Sequence, residues 1–230
     1  MAPPLAACGA CSPLSGYPAQ MTVALISAAG VSGLLAILAD RGDRRPGVFY
    51  ILKPLTTILI LGSAAAADPI DVTCQQWILL ALMLSLVGDV ALMFKGDRWF
   101  LGGLCSFLLA HLAFIAAFLS GLQLPEPPIW SYAALLWGFA MLSVLWSRVG
   151  RLKIPVLIYG LILALMVMAA AARNAAMADK GSFLILCGAL FFMASDSLLG
   201  YRRFVRPCPG AQPLILSTYW IGIGLIAWSI

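Results

Sequence analysis

"LMLSLVGDVALMF", residues 82–94, places Asp89 inside an apolar run of the kind that crosses a lipid bilayer. An aspartate at the centre of a membrane helix costs about 2.5–3.5 kcal/mol on insertion scales, so a chain that keeps one there needs a polar partner for it or a use for it. "LFFMASDSLLGY", residues 190–201, repeats the arrangement with Asp196. Two such acids read as a site.

Composition sets the class. Of the 230 residues 63% are hydrophobic and only 10% charged, with a mean hydropathy of +1.01, against about 25% charged in an average soluble domain. This is the signature of an all-α, polytopic membrane bundle. Runs of about 20 apolar residues can be laid end to end eight times, over 21–39, 49–67, 76–94, 99–119, 129–147, 154–172, 182–200 and 213–230. Breakers separate them: Gly42 and Pro46, Pro69, Gly96, "PEPP" at 125–128, Gly150, Lys180-Gly181 and "RPCPG" at 206–210. The expected organisation is a flexible N-terminal tail over 1–20 and one eight-helix transmembrane domain over 21–230.

The net charge of +5 does not point to nucleic acid, because the basic residues sit in short loops between spans, where they determine topology. Arg41, Arg44, Arg45 and Lys53, then Lys95 and Arg98, then Arg148, Arg151 and Lys153, then Arg202, Arg203 and Arg206 fall on one side, leaving Arg173 and Lys180 on the other. Both termini are therefore expected on the non-cytoplasmic side, with the bacterial inner membrane as the expected location. Six cysteines are present, and the lone Cys8–Cys11 pair has no second pair or nearby histidine to complete a zinc site. "LAAC" at 5–8 mimics a lipoprotein cleavage box, but only "MAPP" precedes it, so no signal peptide is expected.

The two halves echo one another. Asp89 and Asp196 each lie near the end of a span, and Pro54 and Pro155 each open the span before, as four-plus-four parallel helices would require. With a rise of about 1.5 Å per residue, both acids lie roughly 6–8 Å inside the cytoplasmic boundary. Lys53, Tyr159 and Tyr219 enter from that boundary on other spans and reach nearly the same level. Five polar residues from five helices thus share one slab, where a bundle interior could satisfy them mutually. Ser85 lies one turn before Asp89 and can share its face. Ser195 adjoins Asp196. His111 sits deeper, near the midplane, and could line the cavity from below.

Two carboxyl groups close together in a low-dielectric pocket resist ionising together, which equips them as a general acid and a general base. No GxSxG elbow, HExxH or P-loop is present, and one histidine makes no metal cluster unless the acids join it. Hydrolysis of a lipid bond by Asp89 and Asp196 and proton- or cation-coupled transport through them use the same equipment. The hydrolysis is expected to need no metal or organic cofactor.

Six segments in order carry a resemblance: "KPLTTILIL" at 53–61, "SLVGDVALMF" at 85–94, "FLGGLCSFLLAHLAFIAAF" at 100–118, "IPVLIYG" at 154–160, "GALFFMASDSLLGYRRF" at 188–204 and "STYW" at 217–220. Together they resemble the YhhN family, whose animal members are lysoplasmalogenases. One departure is visible, "IGIG" standing after "TYW" where the family pattern leads one to expect a glutamine. The resemblance implies cleavage of the vinyl ether of a lysoplasmalogen, giving a fatty aldehyde and glycerophosphoethanolamine or glycerophosphocholine. By that reading the partners are a lysophospholipid and the membrane lipids. Asp89 and Asp196 are catalytic in an order the sequence leaves open. Lys53 would meet the substrate phosphate, Tyr159 and Tyr219 the glycerol or water, His111 a carboxyl or the pocket floor, with Ser85 and Ser195 beside the acids.

Overall fold

A computed structural model describes residues 17–40, 46–123, 126–208 and 210–230. The expected tail, the Cys8–Cys11 pair and the basic residues Arg41, Arg44 and Arg45 lie outside the described residues, apart from residues 17–20, which already belong to the first helix. Among the described residues the chain is all helix and turn, without a strand. The helices are α1 (Tyr17–Asp40), α2 (Pro46–Ala65), α3 (Val72–Ala91), α4 (Asp97–Leu119), α5 (Ala133–Leu145), α6 (Lys153–Met177), α7 (Lys180–Phe204) and α8 (Ala211–Trp228).

Seven of these are long and apolar enough to cross a membrane, and α5 is the shorter, apolar eighth. The expected span over 129–147 is thus not a full-length helix. Pro128 holds an extended backbone, a 3-10 turn covers Ile129–Tyr132, and α5 adds only 13 residues. Thirteen residues reach about 20 Å, against roughly 30 Å of hydrocarbon. The chain leaves α5 through a turn that ends at Gly150, whose φ of +59° suits glycine and almost no other residue.

Where the chain meets water, side chains cap the helices. The Asp71 carboxylate accepts from the backbone N–H groups of Thr73 (2.9 Å) and Cys74 (3.1 Å) at the start of α3, and Asp179 accepts from Ser182 N–H (2.7 Å) in a capping box at the start of α7. Those backbone donors, Cys74 foremost for Asp71 and Ser182 for Asp179, hold both carboxyls below the usual carboxylate range.

The hairpins α1–α2, α3–α4 and α7–α8 make the most extensive contacts. α5 packs on α6, α4 packs on α6, and α2 packs on α8. The last helix of each half therefore lies against the second helix of the other half. α1 and α5, the first helix of each half, sit at the periphery and present many apolar side chains outward. This is the geometry expected of a bundle whose outer surface faces lipid.

α7 and α8 cross closely. A Cβ on Gly188 would stand 2.6 Å from the Gly222 carbonyl oxygen and 2.7 Å from an Ile226 carbon, so small residues set this helix separation. Gly188→Val is expected to destabilise the protein by about 1–3 kcal/mol, read as a lower unfolding midpoint in detergent. Gly102→Ala, whose Cβ meets open space, is expected to leave that midpoint unchanged or slightly raised.

Candidate functional site

Asp89, near the C-terminal end of α3, is only 2% exposed. Two other helices satisfy it. From α2, Lys53 Nζ lies 3.3 Å from Oδ1 and donates to the Asp89 backbone carbonyl at 3.0 Å, and Thr57 Oγ1 donates to Oδ2 at 2.7 Å. From α8, the Tyr219 hydroxyl donates to the same Oδ2 at 2.8 Å. Behind them Trp220 Nε1 donates to Thr57 Oγ1 at 3.4 Å. A buried carboxylate met by an ammonium and two hydroxyls is a compensated charge.

Asp196 on α7 is treated differently. The Tyr159 hydroxyl of α6 donates to its Oδ2, and His111 Nε2 of α4 stands 3.6 Å from the same oxygen, too far for a hydrogen bond. His111 is fully buried and neither ring nitrogen has a hydrogen-bond partner. Its ring sits edge-on to Tyr159 (5.1 Å between centroids) and Phe192 (4.8 Å). No lysine or arginine pairs with Asp196 among the described residues.

Both acids line one cavity of about 750 Å³, together with Lys53, Ser195, Tyr219 and Phe107. Gly88 explains how Phe107 reaches it: a Cβ at residue 88 would stand 2.6 Å from the Phe107 ring, so the glycine beside Asp89 makes room for the aromatic wall. Phe107, Phe192 and Tyr219 pack edge to face at centroid distances of 5.4–6.1 Å. The mouth of the cavity carries Lys95, Arg202 and Arg203. Arg202 donates to the Gln212 side chain, while Arg203 pairs with Asp97 at 2.6 Å and stacks over Phe100.

The residues picked out by depth thus separate into two clusters around the acids; Tyr159 lines an adjoining cleft rather than this cavity, and His111, expected to line it from below, lines neither. Lys53 and Tyr219 gather on Asp89, and Tyr159 and His111 gather on Asp196. The Lys53 ammonium is turned to Asp89 rather than to the mouth. Ser195 lines the cavity, but its hydroxyl donates to the Ile215 carbonyl (3.0 Å) and so ties α7 to α8. Ser85 is buried with no hydrogen-bond partner for its Oγ, and it does not reach the Asp89 carboxylate as a donor. Thr57 was not singled out from the sequence, although its position four residues after Lys53 puts both on one face of α2. Trp220 gave no comparable signal.

The sequence profile of the YhhN family matches residues 48–230. A lysoplasmalogenase of Mycobacterium tuberculosis is 34% identical over 169 residues, covering 70% of this chain and 61% of that protein. Human lysoplasmalogenase TMEM86B is 33% identical over 149 residues (65% and 61%), and human lysoplasmalogenase TMEM86A 30% over 160 residues (66% and 64%). The chain therefore spans about 61% of the length of the first of these relatives. No solved structure matches it.

Removing one partner of a buried ion pair strands the other charge, at a cost of about 3–5 kcal/mol. Lys53→Met is expected to lose stability in that range by denaturation in micelles. The double variant K53M/D89N, which also removes the stranded charge, is expected to recover most of it.

Proposed function

The chain belongs to the YhhN family, and from that membership and the cavity that two carboxyl groups share we propose that it is a lysoplasmalogenase-like hydrolase. It cleaves the vinyl ether of a lysoplasmenylethanolamine or lysoplasmenylcholine. The single observation that carries this reading is the unequal treatment of the acids. Asp89 faces Lys53, Thr57 and Tyr219, whereas Asp196 faces Tyr159 and an unbonded imidazole with no lysine or arginine.

The chemistry follows from that asymmetry. Asp196 in its acid form gives its proton to the outer alkene carbon of the vinyl ether, leaving an oxocarbenium ion at the carbon bonded to oxygen. The Asp89 carboxylate, paired with Lys53, stabilises that cation across the cavity. Water adds to the cationic carbon and its proton returns to Asp196. The resulting hemiacetal collapses to a fatty aldehyde and the glycerol hydroxyl, so one water is consumed and the catalyst is restored. Tyr159 orients Asp196, and His111 closes the short gap to the same carboxyl when substrate fills the cavity. We assign the substrate phosphate to Lys95 and Arg202 at the mouth, since Lys53 is engaged by Asp89.

The same reading places the mouth on the cytoplasmic side. Lys95, Arg202, Arg203 and Arg206 lie at that end of the bundle, as topology determinants do. With the whole apolar stretch Ile129–Leu145, the 3-10 turn and α5 together, serving as the eighth crossing, both termini face away from the cytoplasm of a bacterial inner membrane.

Asp196→Asn is expected to reduce aldehyde release from lysoplasmenylcholine by about 100- to 10,000-fold, the usual range for loss of a general acid. Its unfolding midpoint in detergent is expected to stay near that of the parent protein. Asp89→Asn is also expected to lose turnover. A proton- or cation-coupled transporter would release no aldehyde from the unsubstituted protein.

A further inference from the structure

A second, apolar cleft adjoins the polar cavity. It is small, about 80 Å³, and is lined by Gly138 and Met141 of α5, Gly160 and Leu163 of α6, and Met193 and Asp196 of α7. Asp196, Phe100 and Phe107 belong to both spaces. The carboxyl of Asp196 therefore stands where a polar chamber with a basic mouth passes into a narrow slot between helices. An amphiphile with one tail has this distribution of polarity, head in the wide chamber and chain in the narrow one. We infer that the cleft seats the first carbons of the substrate's single hydrocarbon chain, those next to the reacting bond, and that Gly160 sets the width it accepts there.

A Cβ on Gly138 would be turned to α6, 3.6 Å from the Gly160 carbonyl oxygen and 3.9 Å from the Ala164 Cβ, while a Cβ on Gly160 meets nothing within 4 Å. A side chain at Gly160, which lines the cleft, would narrow it. Its polar groups are already paired: Ser197 Oγ donates to the Met193 carbonyl (2.8 Å) and accepts from Trp137 Nε1 (2.9 Å), so the wall presents carbon. Access is lateral. α5 packs well on α6 and only lightly on α7, and two polar contacts pin the α5–α7 seam, Trp137 to Ser197 and Arg148 Nη1 to the Val205 carbonyl (2.8 Å). A chain can slide in from the leaflet at that seam without its headgroup crossing hydrocarbon.

Because the bilayer is as apolar as the cleft, moving a chain between them gains nothing from dehydration, and discrimination rests on shape. A slot this narrow holds one chain, which excludes a second chain of a diacyl lipid from the same place.

The inference rests on the hydrolase reading for the identity of the headgroup but not for occupancy, and two measurements on the full-length protein in nanodiscs separate them. The first uses lysophosphatidylcholine with a diazirine a few carbons from the glycerol. Irradiation is expected to place adducts on residues 137–142 and 159–164, reduced at least fivefold in Gly160→Leu and less in Gly160→Ala. Adducts unchanged by both substitutions, or concentrated between α1 and α8, overturn the assignment. The second compares lysoplasmenylcholines whose chain is straight or carries a methyl branch close to the vinyl ether. Gly160→Leu is expected to lower kcat/KM for the branched chain about tenfold more than for the straight one, mainly through KM, with Gly160→Ala intermediate. Gly224→Leu, the same change in a separate apolar cleft lined by α1, α2 and α8, is expected to leave the ratio unchanged. Aldehyde release with the same ratio in Gly160→Leu as in the parent overturns the cleft. Adducts in the cleft that Gly160→Leu removes, without aldehyde from any protein, sustain it and overturn the hydrolase reading.

Discussion

Two carboxyl groups held among apolar helices constrain everything around them. Neither can face lipid, and neither can be left without donors, because an unmet charge in hydrocarbon is too costly to keep. The bundle meets this by drawing partners for each acid from both halves of the chain. Asp89 of α3 is met by Lys53 and Thr57 of α2 and by Tyr219 of α8. Asp196 of α7 is met by Tyr159 of α6 and approached by His111 of α4. In each case one partner comes from the preceding helix and the other from the last helix of the opposite half. The packing of α2 on α8 and of α4 on α6 is the same relation seen in the backbone.

The two positions are equivalent in architecture and unequal in chemistry. One acid has a lysine where the other has a tyrosine, and a tyrosine where the other has a histidine. That exchange pairs Asp89 with a lysine and leaves Asp196 without a lysine or arginine, the asymmetry on which the proposed acid-catalysed opening of a vinyl ether rests. His111, buried with both nitrogens unmet, fits the same picture. An orphaned polar group costs about 1–3 kcal/mol, and the proposed role of His111 beside Asp196 would give that cost a use.

The surroundings extend this asymmetry outward. The cavity widens from the acids toward a basic mouth and narrows from Asp196 into an apolar slot beside the peripheral α5. α5 is short and lightly held on its α7 side, so the part of the bundle next to the slot is also the part least fixed by packing. Rigid pairs such as α7–α8, locked by Gly188 and Gly222, carry the acids, and the looser seam lies beside them.

Sequence alone determined the class, the run of apolar helices and the level at which the polar residues lie. Helical rise is constant and hydrocarbon excludes charge, so counting residues from a span boundary fixes depth without knowledge of packing. It also placed Asp89, Asp196, Lys53, Tyr159 and Tyr219 in one slab. What depth cannot give is direction around the helix axis and choice of neighbour, and these only the tertiary structure decided. It turned Lys53 to Asp89, recruited Thr57 and Trp220, left Ser85 unbonded and shortened α5. Hydropathy is blind to such choices because lipid and a packed interior are equally apolar. Which helix face meets which partner is settled by side-chain fit and hydrogen bonds between segments far apart in the chain.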